Sequence, residues 1–280
     1  MTILMIDLLK SAYQNKKVFL TGHTGFKVAW MLVMLRHLGA DVRGYALEPE
    51  DPSLYQKITG GDLCQSVIAD INDLERLTKE LKDYQPDFVF HLAAQSIVRR
   101  SYKQPLETFQ TNIIGTANLL EAVRSVDGKC DVVVITTDKV YENMEIDYAY
   151  KEQDKMGGFD PYSSSKASAE IVIASYRSSF FNLDDHHRHR TAIAVARSGN
   201  VIGGGDYCED RIVPDIIRAL EAKSPLSVRN PKAIRPWQHV LEPLGGYLLL
   251  GAKLSEDPKQ FASSFNFGPK IGRASRRERV

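Results

Sequence analysis

Tyr162 and Lys166 stand four residues apart, as Tyr-x-x-x-Lys, directly after Pro161. At helical spacing residues i and i+4 share a face. The lysine ammonium then sits one turn from the phenol and is expected to pull its pKa below the ordinary value near ~10. That would make tyrosinate a candidate base for an alcohol proton. Upstream, the run Thr136-Thr137-Asp138-Lys139-Val140-Tyr141 follows an apolar stretch. Its Thr137, Asp138 and Lys139 offer a hydrogen-bond donor, an acid and a possible base. Nearer the start lies Thr21-Gly22-His23-Thr24-Gly25-Phe26-Lys27-Val28. Gly22 permits a tight turn, and Gly25 lets backbone N–H groups approach a pyrophosphate at a helix N-terminus. Each motif alone has a plain structural alternative: a chance helical spacing, a polar turn capped by Asp138, a strand-to-helix turn.

The elements around them favour chemistry. Val18-Phe19-Leu20, Phe88-Val89-Phe90, Val132-Val133-Val134-Ile135 and Ile193-Ala194-Val195-Ala196 are continuous apolar runs. Such runs suit strands buried on both faces of a parallel sheet. Between them, Leu106, Phe109, Ile113, Ala117, Leu120 and Val123 draw one apolar stripe at helical steps, and Ile171, Val172, Ala174, Ser175 and Phe181 read similarly. Strand and helix in alternation imply right-handed crossovers and an α/β doubly wound parallel sheet, a Rossmann domain. The Gly-, Pro- and Arg-rich stretch from Gly203 to Pro236 suggests loops leaving the sheet; Leu241 to Leu254 reads as a helix and Phe265-Asn266-Phe267 as a strand. The expected organisation is a dinucleotide-binding domain over 16–199, a return to it over 237–268, and part of a substrate-binding domain over 200–236.

In that frame the glycine loop after the first strand reads as a dinucleotide site. The third glycine position holds Val28, whose isopropyl group is expected to overpack the helix against the strand by about 1–3 kcal/mol. The second strand, Val42-Arg43-Gly44-Tyr45-Ala46, has no carboxylate before Glu48. Arg43 reads either as a grip on the extra phosphate of NADP or as a solvated charge. Asp70 reads either as an acceptor for an adenine amine or as a cap for the helix from Asn72 onward.

Composition removes other classes. The chain has 280 residues, 36 Lys+Arg against 35 Asp+Glu, and a formal charge of +1. That balance argues against broad nucleic-acid or anionic-membrane binding. Cys64, Cys130 and Cys208 are too scattered for a disulfide framework or a metal pair, which points to a reducing, cytoplasmic setting. The first residues carry Asp7 inside their apolar stretch and make a poor signal peptide, and no apolar run is long enough to span a membrane. His186, His187 and His189 lie beside Arg188 and Arg190, which repel cations, so no metal is expected there. The last ten residues, IGRASRRERV, hold four arginines against one glutamate, and without them the chain is slightly acidic. They resemble a translated adapter oligonucleotide, so residues 271–280 are expected to be non-native and the small domain cut short.

From Lys16 to Pro269 the chain resembles the extended short-chain dehydrogenase/reductase superfamily, and within it the sugar-nucleotide 4,6-dehydratases that act on CDP-glucose. The stretches that carry this are Thr21 to Lys27, His91-Leu92-Ala93-Ala94-Gln95, Thr137-Asp138-Lys139, Gly157-Gly158-Phe159-Asp160-Pro161-Tyr162, Ser198 to Asp206, and Arg235-Pro236-Trp237-Gln238-His239-Val240. Thr-Asp-Lys, where the similar dTDP-glucose enzymes have Thr-Asp-Glu, marks the branch. The resemblance implies an NAD-dependent lyase that oxidises a hexose at C4, eliminates water across C5 and C6, and returns the hydride to C6. It implies that Tyr162 takes the C4 hydroxyl proton, with Lys166 supporting it and Thr137 bonding the C4 oxygen. Asp138 and Lys139 would divide the elimination, Asp138 as the favoured acid and Lys139 as the base. Gly22, Thr24, Gly25, Phe26, Asp70, Ala93, Tyr162 and Lys166 would contact the cofactor. Gln95 and Ser96 would touch the sugar, and Asn200, Arg211, Arg235 and His239 would surround the substrate diphosphate. A homodimer built on the helices around 106–123 and 171–181 is also implied. The alternatives are an epimerase or decarboxylase on the same scaffold, and a nucleotide-binding fragment without turnover.

Overall fold

The computed structural model describes residues 3–269, apart from 145, 147, 227, 229, 230 and 232–234. The suspected non-native tail lies outside the described residues. In chain order the strands are β1 (Lys17–Thr21), β2 (Asp41–Ala46), β3 (Gln65–Ile68), β4 (Phe88–His91), β5 (Cys130–Thr137), β6 (Thr191–Ser198), β7 (Val201–Ile202), β8 (Gln238–His239) and β9 (Ser264–Phe267). Seven form one parallel sheet in the order β3-β2-β1-β4-β5-β6-β9, and β7 pairs with β8 beside it. The order reverses between β1 and β4, which opens the crevice where ligands bind in such sheets.

Strand residues alternate between two cores. Val18, Leu20, Phe88, Phe90, Val133 and Ile135 pack with the helices Phe26–His37 and Leu241–Glu256 on one face. Phe19, Val89, Val132, Val134 and Val195 pack with the helices Leu74–Tyr84 and Gly115–Val123 on the other. The N-terminal segment is a helix, Ile3–Tyr13, a role its composition did not announce. It adds Leu9 and Tyr13 to the first core, and the Tyr13 hydroxyl donates to Leu248 O at 2.6 Å.

Three expectations about helices change. The stripe from Leu106 to Val123 is not one face: Leu106 is 81% exposed, while Thr108, Asn112 and Thr116 are buried. A wide turn over Gln110–Ile114 separates Pro105–Phe109 from Gly115–Val123 and rotates the register between them. In the helix Pro161–Ser179 the inner face carries Ser163, Ser165, Lys166, Ala167, Glu170 and Ile173. Ile171 is 60% exposed, so apolarity points outward there because the inward positions serve a polar site. Finally, the stretch read as loops contains the helix Ile212–Glu221.

Candidate active site

The crevice is locked by Thr21 at the end of β1. Its Oγ1 accepts from the backbone N–H groups of Leu92 and Ala93 at 3.1 Å each and donates to His91 Nδ1 at 2.8 Å. Burial lowers His91 to about 3, so it is neutral. With Nδ1 accepting, Nε2 carries the proton and donates to Thr116 Oγ1 at 3.1 Å. Gly22 has φ of +80°, and a Cβ there would stand 3.0 Å from Ala93 N. Only glycine brings the two loops this close. Thr24 Oγ1 donates to Leu47 O at 3.0 Å, tying the loop to the end of β2. Gly25 is the N-cap of Phe26–His37 and no side chain caps that helix. Its first N–H groups are thus left for an anion, as a dinucleotide pyrophosphate requires. Phe26 is buried beneath the turn.

Val28 is 5% exposed and packs among the buried side chains of the first core, so its isopropyl group fills space between helix and sheet. Arg43 is neither a phosphate grip nor a solvated charge. It donates to Gln65 Oε1 at 2.8 Å, pairs with Glu80 at 3.2 Å and stacks on the Tyr84 ring at 4.5 Å. Asp70 is exposed, and its Oδ1 accepts from Asn72 N at 2.9 Å and Asn72 Nδ2 at 3.0 Å. The helix cap is Asp73 instead, accepting from Arg76 N.

Asp160 starts the helix that bears Tyr162: its carboxylate accepts from Ser163 N at 3.0 Å and Ser163 Oγ at 2.6 Å, and Pro161 follows at the first position. Lys166 is 6% exposed and its Nζ donates to Ile135 O at 3.2 Å. Burial lowers its pKa to about 8, with Glu170 pulling it back up. The expectation for Tyr162 reverses. Burial raises its pKa, and the charge that pulls hardest the other way is Lys139, not Lys166, with the Thr137 hydroxyl assisting. Loss of hydration outweighs the pull of the cations Lys139 and Arg211 and of the Thr137 hydroxyl, so the phenol resists ionisation.

At the end of β5, Thr137 Oγ1 donates to Asp138 Oδ1 at 3.0 Å. Lys139 Nζ donates to the same oxygen at 3.1 Å and to Asn200 Oδ1 at 3.4 Å. A Cβ on Gly199 would lie 2.7 Å from Asp138 Oδ2, so the missing side chain gives Asp138 its place. Beneath this cluster is a buried pair. Arg197 meets Glu170 at 2.5 Å and 2.9 Å through Nη2 and Nε and donates to the Tyr141 hydroxyl at 2.7 Å. Thr136 Oγ1 also donates to Glu170, at 2.6 Å. The network joins β5, β6 and the Tyr-Lys helix, and so fixes the two halves of the site against each other.

Among the other expected contacts, Arg211 meets Ser96 Oγ at 3.2 Å and Asp206 at 3.0 Å. Gln95 serves the scaffold: its amide donates to Thr108 Oγ1 at 2.9 Å and accepts from Ile97 N at 2.7 Å. Asn200 reaches the Thr137–Asp138–Lys139 cluster through its hydrogen bond with Lys139. Arg235 lies half-buried at the approach to β8. His239 is exposed on β8, its Nδ1 accepting from Leu241 N at 3.3 Å. His189 uses both ring nitrogens locally, Nε2 donating to Asn182 O and Nδ1 accepting from Thr191 N. No group of three potential metal ligands occurs among the described residues.

Sequence reading passed over Lys27, Ser198 and Tyr247. The Tyr247 hydroxyl is hydrogen-bonded to Ser198 Oγ, and Lys27 Nζ donates to the same oxygen at 3.4 Å. Lys27 had a signal, a charge inside an otherwise apolar helix turn; Tyr247, in an apolar helix, had none.

The parallel sheet, the glycine turn at its reversal point and the Tyr-Lys helix beside β5 are the architecture of the extended short-chain dehydrogenase/reductase superfamily. Within it, the chain belongs to the family described as GDP-mannose 4,6 dehydratase, whose model matches residues 19–260. It is 48% identical over 267 residues to a CDP-glucose 4,6-dehydratase of Salmonella typhimurium, across 95% of this chain and 74% of the relative. The fold is similar to that of an epimerase of Methanothermobacter thermautotrophicus, with TM-score 0.80, 22% identity, and coverage of 96% and 76% of the two chains. It is also similar to a dTDP-glucose 4,6-dehydratase of Streptomyces venezuelae solved with NAD bound, with TM-score 0.75, 20% identity, and coverage of 89% and 74%.

Proposed function

We propose that this protein is an NAD-dependent dehydratase that converts CDP-glucose to CDP-4-keto-6-deoxyglucose. The observation that carries the reading is the cluster at the end of β5, where Thr137, Asp138 and Lys139 are hydrogen-bonded to one another and Lys139 acts electrostatically on Tyr162. An enzyme that only epimerises C4 needs no acid and base for C5 and C6. The identity to a CDP-glucose 4,6-dehydratase supports the nucleotide, and the uncapped helix behind Gly22 and Gly25 supports NAD.

Bound NAD would supply the hydride acceptor for C4 and the hydride donor for C6. Tyr162 receives the C4 hydroxyl proton, and Thr137 orients the C4 oxygen. Lys139 favours tyrosinate, which burial alone would suppress. Once C4 is a ketone, C5 is acidic; a proton passed along the 3.1 Å hydrogen bond from Lys139 Nζ to Asp138 Oδ1 leaves a neutral amine that takes the C5 proton and a carboxylic acid that protonates the departing C6 hydroxyl. Lys166 binds the cofactor ribose, Ala93 and Thr24 border the dinucleotide, and Asp70 serves its adenine end. Ser96, Asn200, Arg211, Arg235 and His239 hold the substrate, arginine being suited to phosphate. Residues 16–199 and 237–268 form the dinucleotide half, and 200–236 belong to the sugar-nucleotide half.

The enzyme works as a cytoplasmic homodimer. Leu106 and Ile171, 81% and 60% exposed, lie on the two helices that would meet a second copy. No helix among the described residues is long and apolar enough to cross a membrane. Incubating the purified protein with NAD and each of CDP-, dTDP-, UDP- and GDP-glucose tests the reading. A 4-keto-6-deoxy product formed fastest from CDP-glucose is expected; an epimerised sugar, or no product from any of the four, would contradict it.

A further inference from the structure

Lys27 stands in the first turn of Phe26–His37, and no step above employs it. Its Nζ reaches across the strand ends to Ser198 Oγ at 3.4 Å and lies 5.7 Å from the centroid of the Tyr247 ring. The charged groups that act on it are Arg211 at the start of Ile212–Glu221, Lys166 in Pro161–Ser179, and Asp138 and Lys139 after β5. The neighbours from β6 and Leu241–Glu256, Ser198 and Tyr247, are neutral. Asp138 is the one anion in this set, and it already pairs with Lys139 at 3.1 Å. Arg211 is held by Asp206 at 3.0 Å, and Glu170 by Arg197 at 2.5 Å.

Four cations, Lys27, Lys139, Lys166 and Arg211, thus gather at the C-terminal ends of the strands, held to Ser198 Oγ, Asp138 Oδ1, Ile135 O and Ser96 Oγ, beside a helix N-terminus that no side chain caps. Burial and the surrounding cations lower Lys27 to about 7. A half-buried ammonium in such company is stabilised when an anion completes the set.

We propose that Lys27 is a diphosphate-holding residue, its ammonium pairing with a phosphate of the dinucleotide or of the nucleotide sugar in the cleft. The inference rests on the reading of the cleft as a site for those two ligands. Bound phosphate draws a proton onto Lys27, so binding at pH 8 takes up close to one proton per site. Calorimetry with NAD and with CDP, in two buffers of different ionisation enthalpy, measures both affinity and uptake on nucleotide-free protein. Lys27→Met is expected to weaken one ligand about 10- to 100-fold and to abolish its proton uptake, while Lys27→Arg keeps the affinity. Loss for NAD assigns the dinucleotide phosphate, and loss for CDP the substrate phosphate. Nucleotide-free Lys27→Met is expected to melt no lower than the parent, since it removes a charge from a crowded cationic cluster. Affinities of Lys27→Met within twofold of the parent for both ligands would overturn the inference, as would a lowered melting temperature with unchanged binding. A parent protein that binds neither NAD nor CDP would overturn the functional reading, and this inference with it.

Discussion

Glu170 and Arg197 are 3% exposed each and make the most buried ion pair among the described residues. Glu170→Gln keeps the shape and removes the charge, leaving the guanidinium in low dielectric with the Tyr141 hydroxyl and Glu152 O as neutral partners. Breaking a buried pair from one side costs about 3–5 kcal/mol. For a chain of this size that is a fall in Tm on the order of 10 °C. The same substitution removes the carboxylate that raises Lys166, so the pKa of Lys166 drops further below about 8. The alkaline limb of the rate should move to lower pH, because Lys166 loses its charge sooner. Urea unfolding measures the first effect and a pH–rate profile the second. Replacing both partners with apolar residues should recover much of the stability but not the pH profile. A single variant that loses less than about 1 kcal/mol and keeps its alkaline limb would refute the reasoning that this pair braces the site.

Other perturbations have equally definite outcomes. Gly199→Ala places a methyl group 2.7 Å from Asp138 Oδ2, so kcat should fall about tenfold or more while NAD affinity, measured by calorimetry, stays unchanged. Val28→Gly empties core volume and puts glycine inside a helix, so urea unfolding should reveal a loss of about 2–4 kcal/mol. Asp131 is 1% exposed, and although Lys129 Nζ lies 3.6 Å from its Oδ2, burial outweighs that ion pair and raises it to about 6. Because the folded state holds that proton more tightly than the unfolded chain, wild-type stability is lost as pH rises from about 4 to about 6. Asp131→Asn should therefore gain on wild type above about pH 6 and show no gain below about pH 4 in parallel melts.

Strands β1, β4, β5 and β6 were legible because each is a short apolar run buried on both sides, a pattern that leaves few alternatives, whereas β3, β7 and β8 are short and partly exposed and carry no such signal. The glycine loop and the Tyr-Lys pair were legible because backbone conformation and helical spacing are written locally. What was not legible depends on partners far along the chain. The inward face of Pro161–Ser179 is polar because Glu170 finds Arg197 in another strand, so reading its apolar positions pointed to the wrong side. The turn over Gln110–Ile114 rotates a helix that local pattern treats as continuous. The direction of the Tyr162 shift also needed the fold, since spacing gives the nearest cation but not the burial that outweighs it.

The central claim is that one bound dinucleotide carries the same hydride from C4 to C6 while Thr137, Asp138, Lys139 and Tyr162 move the protons. CDP-glucose deuterated at C4, turned over with catalytic NAD and analysed by NMR, tests it most directly. The label is expected at C6 of a 4-keto-6-deoxy product. Label lost to solvent, or retained at C4 of an epimer, would contradict the claim.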